Sequence, residues 1–202
     1  MAAPRYHHGD LRAALINRAA EVVGAGGVDS LSLRELARDL GVSHGAPSRH
    51  FADKQALLDA LALDGFERLG ASMAAALPSD DDPAAGDFSV QLGDLAAAYV
   101  GFAVQNASLL VLMFAAKTRQ ASPAELPAAL DRAFAAPLRS IQLAQKRGQV
   151  VAGDVEVVAT GILATMHGYA TLVTAGLFHP DEGGAELGGV IGQLMNGLRP
   201  RD

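Results

Sequence analysis

A chain of 202 residues, half of them apolar and only 5% aromatic, has material for a sizeable core in one or two domains. Alanine and leucine dominate, which suits helices better than strands, so an all-α fold is expected. The lack of cysteine excludes a disulfide framework, a thiolate metal site and a cysteine nucleophile, while the net charge of −6 hides an uneven distribution. Residues 1–58 hold seven Lys/Arg against six Asp/Glu, whereas residues 59–202 hold nine against sixteen. Four of the six histidines also lie in the first 58 residues, so that end is the better suited to a polyanion.

The opening, "MAAPRYHHGDLRAAL", has no uninterrupted apolar run of the kind a secretory signal needs, and a cytoplasmic location is expected. Leu11, Leu15, Ala19, Val22 and Val23 share one face of a first helix, which Gly26-Gly27 should stop. In "SLSLRELARDLG", Ser32 and Glu35 have the spacing of a capping box. Leu33, Leu36, Ala37 and Leu40 form an apolar stripe, and Gly41 ends the helix. Ser43 is placed to cap a third short helix running through Phe51, with Pro47 near its first turn. Asp53 then caps a longer helix from Lys54 to about Ala76.

Two short helices joined by a tight glycine-containing turn, with a helix on either side, make a helix-turn-helix. That geometry lays the second helix of the pair in the DNA major groove and brings Ser43, His44, Gly45, Ala46, Ser48 and Arg49 to the bases. Arg49 suits a guanine or a phosphate, and His44 and His50 suit phosphate oxygens or bases. Lys54 adds a positive side chain to a helix N-terminus, a natural phosphate clamp, and Ser32 and Arg34 on the preceding helix complete the candidate DNA-binding set.

"SLSLRELARDLGVSHGAPSRHFADKQALLDAL" resembles the DNA-binding region of the TetR family of bacterial transcriptional regulators, through Gly41-Val42-Ser43, His50-Phe51, Lys54 and Leu57. "YHHGDLRAALINRAAEVV" and His167-Gly168 are similar to the branch whose C-terminal domain is named for a Trp-His-Gly motif. The resemblance implies a homodimer that represses by binding a near-palindromic double-stranded DNA operator and releases it when a small molecule enters a C-terminal helical cavity. Two positions depart from the pattern. Ser48 stands where the family usually has a tyrosine that contacts the DNA backbone, and Leu163 stands where the branch has its tryptophan.

A head over residues 1–54 and a ligand-binding and dimerisation region over residues 55–202 are therefore expected, with "LPSDDDPAAGD", residues 77–87, as an acidic loop. Beyond it the pattern predicts two helices broken near Asn106-Ala107 and a long helix or kinked pair around Pro137. Lys146 and Arg147 then precede a Gly148 stop, and Asp154 caps an apolar helix. A final glycine-studded helix follows the Gly183-Gly184 turn, and the last two helices suit an interface with a second copy. Residues 157–178 carry no acidic or basic side chain and are long enough to span a bilayer. Their threonines, His167, Tyr169, glycines and acidic flanks favour instead a helix buried in a core or a subunit interface.

Tyr99, Phe102, Met113, Phe114, Met166 and His167 are the larger or polar-tipped residues placed to line a pocket, which favours an uncharged or amphipathic organic effector. An enzyme would need a nucleophile or acid/base constellation, yet the chain has no Gly-x-Ser-x-Gly, no phosphate-binding loop and no His-Glu-x-x-His. No cofactor or metal is expected; His7-His8 with Asp10 reads better as a solvated arm than as a metal site. The rival to a regulator is a helical small-molecule-binding protein or enzyme that has lost sequence-specific DNA binding.

Overall fold

The computed structural model describes residues 11–78, 86–119, 122–178 and 185–200. These hold eight α-helices and no strand: α1 Leu11–Gly26, α2 Leu33–Asp39, α3 Lys54–Ala76, α4 Phe88–Gln105, α5 Ala107–Thr118, α6 Leu126–Lys146, α7 Val155–Thr174 and α8 Ala185–Leu198. The His7-His8-Asp10 group, most of the acidic loop and the Gly183-Gly184 turn lie outside the described residues.

Contacts divide the chain into two compact units, Met1–Gly65 with Ser108–Leu126, and Phe66–Ala107 with Pro127–Asp202, so α3 contributes its first half to one and its second half to the other. In the first unit α1 and α2 pack together around buried Leu15, Ala19, Val23, Leu36 and Ala37. Arg18 on α1 ties the pair from outside, 2.9 Å from Asp39 on α2 and 2.5 Å from Glu21. Its hydrogen bonds to Glu21 and then Asp39 push the Arg18 pKa above its ordinary value. In the second unit α4, α7 and α8 pack on one another.

Several local signals act as the sequence suggests. Gly41, at φ 67°, closes α2 while the Val42 and Gly41 amides donate to Ala37 O and Arg38 O, at 2.9 and 3.1 Å. Gly148, at φ 70°, closes α6 with the equivalent pair of bonds. Asp53 and Asp154 each accept a backbone N–H of the helix that follows, and Asp87, not expected as a cap, does the same for α4, all at 2.8 Å. Asn106 marks the break between α4 and α5, and Pro137 lies inside a single helix α6.

Two expectations need correction. Ser32 does begin α2 with extended backbone, but its hydroxyl makes no cap bond, and Glu35 reaches instead to Arg38 at 3.7 Å. The third helix is not an α-helix through Phe51: after a turn at His44-Gly45 only Pro47–Arg49 is helical, as one 3-10 turn. Pro47 explains this. It has no N–H to donate to Ser43 O, and its ring crowds that same carbonyl, so Ser43 O accepts instead from the Ala46 amide at 2.9 Å. Helix α7 is enclosed on one side only within the protomer. Val158, Ile162, Met166, Tyr169, Ala170 and Val173 are buried, while Val157, Gly161, Ala164, Gly168 and Leu172 are exposed on its other side. It is the one described helix long and apolar enough to cross a membrane.

Candidate nucleic-acid interface

The segment after α2 is built as a polar loop nailed down at two points. Pro47 and Phe51 are buried, four residues apart, while Ser43, His44, Gly45, Ser48, Arg49 and His50 are exposed and Ala46 is intermediate. Burying the Phe51 ring contributes about 1.5 to 3 kcal/mol, enough to hold a segment that has little helix of its own. The ladder is short: the Arg49 amide donates to Ala46 O at 3.2 Å, and the His50 and Phe51 amides share Pro47 O at 2.9 and 3.0 Å. Small or polar side chains around a tight turn let the backbone approach a partner closely. That is what reading a groove requires.

The flanking candidates divide. Arg34 is exposed on α2, and Ser32 is half-buried at its N-terminus with the hydroxyl outside any cap bond. Lys54 is half-buried, and its ammonium lies 3.4 Å from the Asp29 carbonyl. The N-terminus of α3 is also held by the Asp53 carboxylate, so the phosphate clamp expected there is shared with an acid already in place. Sequence reasoning missed Arg12. It is exposed on α1, with its guanidinium 5.5 Å from the centre of the Phe51 ring, which adds a cation beside the recognition segment. A basic residue opening a helix was the available signal, but only the fold brings it to Phe51.

The candidate effector residues are less of a group. Met113 and Phe114 belong to the first unit, where Met113 is buried against Gly65; a Cβ on that glycine would stand 2.6 Å from its sulfur. Tyr99, Phe102, Met166 and His167 belong to the second. Of these the structure joins Tyr99 and His167, whose Oη and Nδ1 are 2.8 Å apart. Burial pushes the fully enclosed Tyr99 phenol well above its ordinary pKa. Phe102 is buried with the Arg68 guanidinium 6.0 Å from its ring centre.

Comparison with known proteins supplies the class. The family model for bacterial regulatory proteins of the tetR family matches residues 15–61, and that for the tetracyclin repressor-like C-terminal domain matches residues 92–187. No curated protein matches the chain. A solved structure of a protein with unknown function from Rhodococcus sp. RHA1 is 37% identical over 98% of this chain and 100% of that one, with a TM-score of 0.85. A TetR family transcription regulator from Marinobacter aquaeolei VT8 shares the fold at 13% identity, over 94% of this chain and 96% of that one, with a TM-score of 0.73. The TetR family transcriptional regulator PfmR from Thermus thermophilus does so at 20% identity, over 93% and 96%, with a TM-score of 0.65. An exposed recognition segment in an all-α head, and family models matching both ends of the chain, make this protein a member of the TetR family, a non-enzymatic DNA-binding transcriptional regulator.

Proposed function

We propose that the protein works in the cytoplasm as a homodimeric repressor of a near-palindromic operator, and that a small, largely apolar or amphipathic effector releases it. The observation that carries the DNA-binding part is the exposed Ser43, His44, Gly45, Ser48, Arg49 and His50 around buried Pro47 and Phe51. Ser43, His44, Gly45 and Ala46 bring the backbone to the groove, Arg49 and His50 supply donors, and Arg12, Arg34, Ser32 and Lys54 serve phosphates. With Ser48 in place of the family's tyrosine, backbone grip shifts toward these neighbours.

Dimerisation through α7 and α8 is supported by the exposed stripe Val157, Gly161, Ala164, Gly168 and Leu172 on α7 and the exposed Gly188, Gly189 and Gly192 on α8. Nothing among the described residues lies within 4 Å of where a Cβ would stand on any of these glycines, so the protomer itself does not require their small size. A second copy packing backbone to backbone does. Two heads then engage half-sites about 34 to 36 Å apart, or a multiple of that. An effector shifts the balance only by binding the released arrangement more tightly. Because α3 belongs to both units, it is the element through which such a preference reaches the head.

Capture of sheared genomic DNA by the purified protein across a salt series tests this reading. A near-palindromic site enriched at low salt and lost steeply as salt rises is the expected result. Absence of enrichment at every salt, both for this protein and for Ser48→Tyr, overturns it.

A further inference from the structure

We propose that Asp39 and Arg18 are positioning residues for DNA reading, so that an acid in the head is required for binding a polyanion because it helps hold the recognition segment at one angle. The proposal rests on the operator reading above and names what fixes its geometry. Neither side chain belongs to the DNA-binding set, and Asp39 carries a charge that DNA repels.

Little else holds the segment. Between Asp39, the last residue of α2, and buried Pro47 the chain has a left-handed glycine and no helix. The Pro47–Arg49 turn packs against both α1 and α2, so the direction in which Ser48, Arg49 and His50 face depends on the angle between those helices. On the inside that angle is set by Leu15, Ala19, Leu36 and Ala37. Two of the four are alanines, too small to form deep ridges, so burial alone specifies the angle weakly.

On the outside Arg18 supplies the lock. Its Nε and Nη2 both donate to Asp39 Oδ2, at 3.0 and 2.9 Å, and its Nη1 donates to Glu21 Oε2 at 2.5 Å. Glu21 lies one turn further along α1 and fixes the guanidinium on its own helix, while the other edge of the fork reaches across to α2. A lone surface pair contributes little because two long side chains must be ordered to make it. Here Asp39 is short and Glu21 already orders the arginine, whose planar fork then has one direction. Asp39 Oδ1 is 4.0 Å from the Arg38 guanidinium, which itself lies 3.7 Å from Glu35, so Arg18 is the close partner of this carboxylate. The sign of the effect separates positioning from charge. Removing the Asp39 carboxylate makes the head more positive, so charge alone predicts tighter binding of every DNA sequence. Positioning predicts weaker binding of the operator, with unrelated DNA bound no more weakly.

Asp39→Asn, Arg18→Gln and the double variant, each as the full-length protein, are titrated by fluorescence anisotropy against a captured operator and a scrambled duplex of the same length. Each single variant should bind the operator about tenfold more weakly, and the double variant should lose no more than either, as expected of residues acting as one unit. The salt slope should stay that of the unaltered protein, because neither residue touches a phosphate. Amide exchange in the DNA-free variants gives a second readout. The Val42, Ala46 and Phe51 amides, which donate to Ala37, Ser43 and Pro47 carbonyls, should exchange faster while those of α7 do not change. This readout needs no DNA, so failure of the operator reading and failure of this proposal are told apart. Tighter or unchanged operator binding by Asp39→Asn, an equal loss on the scrambled duplex, additive losses in the double variant, or unaltered exchange at those three amides overturns it.

Discussion

Two exposed surfaces of this protein are built on opposite plans. The recognition segment shows solvent mostly small, polar or basic groups and keeps its two large apolar residues, Pro47 and Phe51, inside. Helix α7 buries one apolar stripe and leaves a second, of Val157, Gly161, Ala164, Gly168 and Leu172, uncovered. A polar surface is stable in water by itself and waits for a polyanion, whereas a contiguous apolar one calls for a partner at all times. On the function proposed above, the contrast separates a contact to be made and released from one to persist.

The largest effect should come from charging the second surface. Ala164→Glu leaves the protomer's own packing untouched but places one uncompensated carboxylate per subunit in the proposed interface, at about 3 to 5 kcal/mol each. Sedimentation equilibrium should show a dimer becoming a folded monomer. A dimer unchanged by this substitution would remove α7 from the interface.

Phe51→Ala attacks the first surface from within, deleting the anchor and the ring under Arg12 at a cost of about 3 to 5 kcal/mol. Urea unfolding should report this loss, together with abolished operator binding, while dimerisation survives. Arg49→Ala acts on the outside of the same segment. Stability should stay within about 0.5 kcal/mol, and affinity for a captured operator should fall by about 1 to 3 kcal/mol if the arginine reads a base. An equal loss on all DNA sequences would make it a phosphate contact instead.

The smallest effect concerns the buried side of α7. The Tyr99 phenol, hydrogen-bonded to His167, is held protonated in the folded protein to higher pH than in the unfolded chain. From about pH 10 upward the unfolded chain therefore binds fewer protons than the folded one, and stability falls as pH rises. Burial, and then Glu186, shift Tyr169 in the same direction. Tyr99→Phe should accordingly flatten part of the alkaline decline in the urea midpoint, leaving the Tyr169 share in place.

Much of this organisation is legible locally. Leu36 and Ala37 fall on the buried face of α2 and Gly41 adopts the left-handed backbone that ends it, because helical period and glycine's freedom act within a few residues. Asp53 and Asp154 cap as expected for the same reason, and Asp87, at the end of a stretch that reads as an acidic loop, caps α4 as well. Ser32 has the spacing of a capping box, yet its side chain is not used, since spacing permits a bond without compelling it. Pro47 is tolerable near a helix's first turn by position, yet here its lost N–H and crowded ring cut the expected helix to a single turn.

What the sequence by itself determined is the all-α class, the helix ends marked by Gly41, Gly148, Asp53 and Asp154, and the polar composition of the recognition segment, since each depends on residues within about one turn of one another. Only the tertiary structure decided that Phe51 meets Arg12, that Tyr99 meets His167 and that Arg18 meets Asp39. It decided, too, which side of the evenly apolar α7 is buried, because a helix without a polar face carries no periodic signal of its orientation and only the packing of α4 and α8 against it supplies one.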